Sequence, residues 1–141
     1  MRGLVLSGGG ARGFAHIGAL EVFVEAGLDF EVVAGASMGA IVGALFAAGR
    51  SPQEILEIAR NTPWLGILGF SFREALLSRG RLRRYLAEHL PQDFADLKRK
   101  LVVTAVEVRS GRVVYLFQGD LVSAVLASAA HPLLLRPVRR E

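Results

Sequence analysis

Residues 32–49 read Val32-Val33-Ala34-Gly35-Ala36-Ser37-Met38-Gly39-Ala40-Ile41-Val42-Gly43-Ala44-Leu45-Phe46-Ala47-Ala48-Gly49, an uncharged run of 18 residues. It is long enough to suggest a membrane span, with Gly39 and Gly43 at the spacing of a small-residue helix contact. Gly35, Ser37 and Gly39 crowd its first third, however, and a buried strand, a sharp turn and a small-faced helix account for the run better. Gly35-x-Ser37-x-Gly39 fits a strand-turn-helix elbow that holds its serine in a strained backbone conformation. The glycines two before and two after the serine leave space, because side chains there would collide across the turn. The Ser37 hydroxyl would stand at the carboxyl edge of a sheet, with the N-terminal dipole of a helix beginning at Met38 directed at the same place.

Working outward, residues 4–7 (Leu4-Val5-Leu6-Ser7) read as a strand that enters Gly8-Gly9-Gly10-Ala11-Arg12-Gly13, and 14–26 as a helix stopped by Gly27. A second strand begins at 31–34, and a helix over 38–48 stops at Gly49. This alternation implies α/β class, with a mainly parallel sheet and crossover helices. The glycine loop also satisfies Gly-x-Gly-x-x-Gly, the dinucleotide fingerprint. That fingerprint wants an acid at the exit of the second strand to hold a ribose. Here Asp29 and Glu31 stand at the entrance, and Ser37 occupies the exit. Both readings share a row of backbone N–H groups at a helix N-terminus, suited to negative charge. Beside Ser37 that charge reads as the oxyanion of a tetrahedral intermediate, with Gly8, Gly9, Gly10, Ala11, Arg12 and Gly13 as the oxyanion hole. A nucleotide-binding or regulatory module using the loop is the non-enzymatic alternative. Arg12 has two readings, orienting an anionic head group or pinning the loop.

Further on, Ser51-Pro52-Gln53-Glu54 carries the cap serine, first-position proline and N3 glutamate of a capping box, which predicts a helix over 52–60. Residues 62–72 are apolar and punctuated by glycine, either a flap or a loop packed under neighbouring helices. Leu82, Leu86, His89 and Leu90 mark a helix that Pro91 ends. Residues 101–108 and 112–117 flank Ser110-Gly111 as a strand pair, and Asp120 caps a predicted helix over 121–130.

Composition narrows the function classes. The 141 residues are 52% hydrophobic and 21% charged, enough for one packed domain. With no cysteine, disulfides, a thiol nucleophile and a cysteine zinc site are excluded. The three histidines are too scattered for a metal site. The N-terminus lacks the apolar core of a signal peptide, so a cytoplasmic location is expected. The net charge of +4 gathers at Arg79, Arg81, Arg83, Arg84, Arg136, Arg139 and Arg140, without the recognition pattern of a nucleic-acid binder. Trp64, Leu65, Ile67, Leu68, Phe70 and Phe72 lie close in sequence to the 79–84 arginines, a combination suited to peripheral membrane contact.

The loop at 8–13, Phe14-Ala15-His16-Ile17-Gly18 after it, and Gly35-Ala36-Ser37-Met38-Gly39 resemble the bacterial patatin-like phospholipases in order and spacing. Ala124-Val125-Leu126-Ala127-Ser128-Ala129 before Pro132 is similar to the family's helix ahead of its second catalytic segment. The resemblance spans essentially the whole chain. It implies a single domain over 1–141 with a three-layer α/β/α sandwich, and hydrolysis of lipid acyl esters by a Ser-Asp dyad, with no metal or cofactor. Ser37 would be the nucleophile and Gly35 and Gly39 its elbow. The family's aspartate stands in an Asp-Gly-Gly or Asp-Gly-Ala motif, whereas Asp29, Asp93, Asp96 and Asp120 are each followed by another residue. His131-Pro132 and Arg136-Pro137 also depart from the family pattern. A truncated version of a longer protein is therefore expected, inactive as it stands, with its base beyond Glu141. A Ser37, Asp120, His131 triad is the enzymatic alternative. His16 is expected to be a packing or loop-bracing residue rather than a base, and His89 to be partly buried.

Overall fold

Alternation in the first strand decides on which side of the sheet the core forms. Leu4 and Leu6 are buried while Val5 between them is 80% exposed, the period of two of a strand with one covered face. The computed structural model describes residues 1–64, 67, 72–130 and 137–140, with side chains over the same residues except 72–78. Strand β1 (Gly3–Leu6) runs parallel to β2 (Val32–Ala36), and β2 runs parallel to β3 (Lys100–Val106). β4 (Val113–Leu116) returns antiparallel to β3, giving the order β1-β2-β3-β4. The α/β class, the mainly parallel sheet and the hairpin at Ser110-Gly111 are as the sequence implied.

Helix α1 (Ala15–Glu25) carries the chain from β1 to β2. Between β2 and β3 come α2 (Met38–Ala47), α3 (Pro52–Arg60) and α4 (Phe72–His89). Both parallel steps move in the same direction across the sheet, so right-handed crossovers deliver their helices to one face. The last helix, α5 (Leu121–Ala129), packs on β3, α2 and α4 on that face. Leu4, Leu6, Val33, Leu101 and Val103 are buried beneath the helices, whereas Val5, Val106, Val113 and Tyr115 point away and are exposed. The described residues thus supply the sheet and one of the two helix layers of an α/β/α sandwich.

Helix α2 is buried at all ten positions and apolar on every side, as a helix enclosed by sheet and other helices must be. The uncharged run at 32–49 is therefore strand, turn and buried helix, and no helix among the described residues is long and apolar enough to cross a membrane. Helix α3 starts with the full capping box: the Ser51 hydroxyl accepts from the Glu54 amide at 3.1 Å, and the Glu54 carboxylate accepts from the Ser51 amide at 2.7 Å. Helix α4 begins ten residues earlier than its apolar marks at Leu82 and Leu86 suggest and contains Gly80. Its first half carries no clean apolar stripe to announce it. Within 62–72, Trp64 is half-buried, with its ring 5.1 Å from Phe14 and 5.3 Å from Tyr85. Its indole N–H donates to the Ala59 carbonyl at 2.8 Å, and Ile67 is buried. Both positions are packed, but they are helical rather than loop, with the Ile67 amide donating to the Pro63 carbonyl at 3.1 Å; 65–66 and 68–71 lie outside the described residues.

Candidate active site

Ser37 joins β2 to α2 with φ 52° and ψ −119°, the lone non-glycine residue with positive φ among those described. Such a conformation persists only where the surroundings over-determine it. A methyl on Gly39 would lie 2.2 Å from the Leu6 carbonyl oxygen and 2.5 Å from that of Ser7. One on Gly35 would meet the Gly39 carbonyl oxygen at 2.5 Å. The first turn of α2 is thus pressed against the end of β1 and against its own entering strand, and only hydrogen fits at either glycine. Ser37 is the N-cap residue of α2, yet its side chain makes no cap hydrogen bond. The Ala40 and Ile41 amides turn back onto its backbone carbonyl, at 2.9 and 3.1 Å.

The glycine loop arrives at the same place from β1. A methyl on Gly8 would stand 3.3 Å from the Ser37 Cβ, and one on Gly13 would be 2.5 Å from the Met38 Cγ. Between these contacts the chain forms a 3₁₀ turn over Gly10–Phe14 that runs directly into α1. Gly10 and Ala11 open that turn, where amides have no acceptor within the helix. The Arg12 amide is engaged, donating to the Gly9 carbonyl at 3.1 Å. His16 Nε2 lies 2.8 Å from the Ser7 carbonyl oxygen. That oxygen can only accept, so the ring must carry its hydrogen on Nε2. His16 braces the start of the loop, as its position in sequence suggested.

All four aspartates lie toward the opposite edge, where the parallel strands begin. Asp29 precedes β2 and accepts from Arg99 at 3.1 Å and from the Phe30 amide at 2.9 Å. The Arg99 hydrogen bond, the Phe30 amide and the guanidinium charge hold its carboxyl below the usual range. The guanidinium carbon of Arg99 also sits 4.5 Å from the centre of the Phe46 ring. Glu31 pairs with the N-terminal ammonium at 3.5 Å. Neither acid named for a ribose is therefore at the glycine loop. Asp93 caps the short turn Phe94–Asp96 ahead of β3, and its backbone is bridged to that of Asp120. Asp120 accepts from the Ser123 amide at 2.9 Å as the cap of α5 and pairs with Arg83 at 3.7 Å. The other end of α5 reaches the elbow through Ser128, eight residues on, or about 12 Å of helix. Asp120 is too distant to serve Ser37 in a triad, and His131 lies outside the described residues. His89 is half-buried, its ring tilted by 60° against that of Tyr85 with ring centres 4.8 Å apart.

A strained serine at a strand-helix elbow, with a glycine loop folded against it, is an arrangement that sequence families can be compared on. The model of one family, described as patatin-like phospholipase, matches residues 4–141. The chain belongs to the patatin-like phospholipase family. This patatin-like chain is 33% identical over 143 residues to an uncharacterized NTE family protein of Mycobacterium tuberculosis, covering 95% of this chain and 38% of the relative. It is 49% identical over 59 residues to Neuropathy target esterase sws of Drosophila persimilis, covering 42% of this chain and 4% of that protein. Among solved structures, VipD from Legionella pneumophila superposes with a TM-score of 0.75 at 18% identity, over 99% of this chain and 44% of VipD. ExoU of Pseudomonas aeruginosa, in complex with SpcU, gives 0.69 at 18% identity, over 99% of this chain and 42% of ExoU. At such identities the superpositions speak for the patatin-like fold. The chain spans 38% or less of the length of these curated relatives.

Proposed function

We propose that these residues form the nucleophile half of a serine acyl hydrolase that cleaves lipid esters in the whole protein. The observation that carries the reading is the meeting of Gly8 with Ser37 at the carboxyl edge of the sheet, where the elbow leaves the serine hydroxyl free of the helix cap. Ser37 Oγ attacks the ester carbonyl and gives its proton to a base, and the carbonyl oxygen becomes an oxyanion. Gly8, Gly9, Gly10 and Ala11 are the donors best placed to receive it, because the Arg12 amide already closes the turn on Gly9. Collapse of the intermediate expels the alcohol part of the lipid, which takes up the proton, and leaves an acyl-serine. Water, deprotonated by the same base, then attacks the acyl carbonyl and releases the fatty acid together with Ser37.

The base we propose is an aspartate outside these 141 residues, since Asp29, Asp93, Asp96 and Asp120 all sit toward the far edge. Membership in the patatin-like phospholipase family supports the lipid substrate class. Contact with a membrane surface follows from that substrate class rather than from any side chain described.

A fluorophosphonate probe, which reacts with activated serines, tests the reading on the whole protein. Labelling is expected at Ser37 and lost in Ser37→Ala. Absence of labelling in the wild-type protein, together with tight NAD or ATP binding at the loop, would replace the hydrolase by a nucleotide module. The isolated 141-residue chain is expected to turn over a short p-nitrophenyl ester slowly or not at all, because an unassisted serine hydroxyl is a poor nucleophile at neutral pH.

A further inference from the structure

The Ser37 backbone N–H points toward α5, where it donates to Ser128 Oγ at 2.8 Å across 91 residues of sequence. Both serines are half-buried. A half-buried amide at the end of a strand needs an acceptor, and none of Ser37's immediate neighbours supplies it. Ser128 lies in the last turn of a helix that otherwise meets the core through Leu121, Val122, Ala124, Val125 and Leu126. Its hydroxyl is the polar link between that apolar helix and the elbow. The bond acts on φ of the residue whose backbone is strained, so it holds the direction in which the Ser37 side chain leaves the turn. It also occupies the Ser37 amide, which is thereby withdrawn from any part in holding an oxyanion.

We propose that Ser128 is a positioning residue for the nucleophile: by accepting the Ser37 amide hydrogen it locks the elbow in the geometry from which Ser37 Oγ attacks. The inference rests on the acyl-hydrolase reading. Ser128 touches no substrate in this scheme. Its effect on the reaction passes wholly through the backbone of residue 37, so it should alter the rate of attack and leave substrate binding as it is.

The test compares Ser128→Ala and Ser128→Thr in the whole protein. Alanine removes only the acceptor and is a better helix former than serine, so the variant should fold. The expected result is a fall in kcat of about tenfold, the size of one hydrogen bond to a reacting residue, with KM unchanged, and recovery of most of the rate in Ser128→Thr, which keeps a hydroxyl. Exchange of the Ser37 amide hydrogen with solvent should quicken in Ser128→Ala and return toward the wild-type rate in Ser128→Thr. A wild-type kcat in Ser128→Ala, or a change confined to KM, would overturn the inference, as would unaltered amide exchange. If the wild-type protein shows no Ser37-dependent turnover, the acyl-hydrolase reading fails, and the amide exchange measurement still decides separately whether Ser128 holds the elbow.

Discussion

Among the described residues two serines stand at the N-cap of a helix, Ser37 ahead of α2 and Ser51 ahead of α3, and they do opposite things there. Ser51 has the extended backbone of an ordinary cap, φ −70° and ψ 157°, and its hydroxyl is engaged by the Glu54 amide. Ser37 has φ 52° and ψ −119°, and its hydroxyl caps nothing. A cap serine normally satisfies the helix's own orphan donors. At α2 the first turn is instead secured by burial of every residue and by the tight fit of Gly39 against β1, with Ser128 holding the amide of the cap residue. The same amino acid at the same helical position thus caps its helix in one place and leaves its hydroxyl out of the cap in the other, and packing around the turn makes the difference.

The sharpest way to break this comparison is to remove both hydroxyls separately. Ser37→Ala is expected to lower turnover by about a thousandfold or more, while changing stability by less than about 0.5 kcal/mol because no cap is lost. Ser51→Ala should leave turnover unchanged and lower stability by about 1 kcal/mol, measured by urea unfolding. Next in size, Gly39→Ala forces a methyl toward the Leu6 and Ser7 carbonyl oxygens. A loss of about 3 kcal/mol is expected, the upper range for overpacking, and a stable Gly39→Ala protein with full activity would contradict the elbow geometry.

Smaller effects sharpen the contrast further. Ser37→Gly should relieve the positive φ and raise stability by about 1 kcal/mol, whereas Ser51→Gly should lower it slightly. The α3 cap should also be acid-sensitive and the α2 cap not. The hydrogen bond from the Ser51 amide holds the Glu54 carboxyl below its usual value of 4.5, outweighing the opposing effect of desolvation with lesser help from the Ser51 hydroxyl and the Arg50 and Lys98 charges. A folded-state pKa below the unfolded one means stabilisation present above the unfolded value and lost as pH falls through the folded value. Glu54→Gln should therefore melt at a slightly lower temperature than the wild type at pH 7, with the gap closing as pH is taken below 4.5.

Much of this fold was legible because the deciding rules act over a few residues. The capping box placed α3 at its observed bounds, Asp120 placed the start of α5, and Ser110-Gly111 placed the hairpin. Gly35 and Gly39 announced a turn too tight for side chains, which is what their surroundings impose. His16 as a loop brace followed from its place just beyond the glycines. Less legible were features set by partners far away in sequence. Arg99 had no mark as the group that ties Asp29 and covers Phe46. Trp64, grouped by sequence with apolar neighbours suited to a membrane surface, instead packs between Phe14 and Tyr85.

The sequence by itself determined the order of strands and helices, the elbow at Ser37 and the glycine loop, because backbone sterics, helix caps and short-range periodicity are written in adjacent residues. Only the tertiary structure decided that the loop and the elbow meet, that the four aspartates gather toward the opposite edge, and that Ser128 reaches the Ser37 amide. Those relations depend on strand order and on the handedness of crossovers. Contacts such as the one between residues 37 and 128 leave no local trace in the chain, because each partner would suit its own helix equally well without the other.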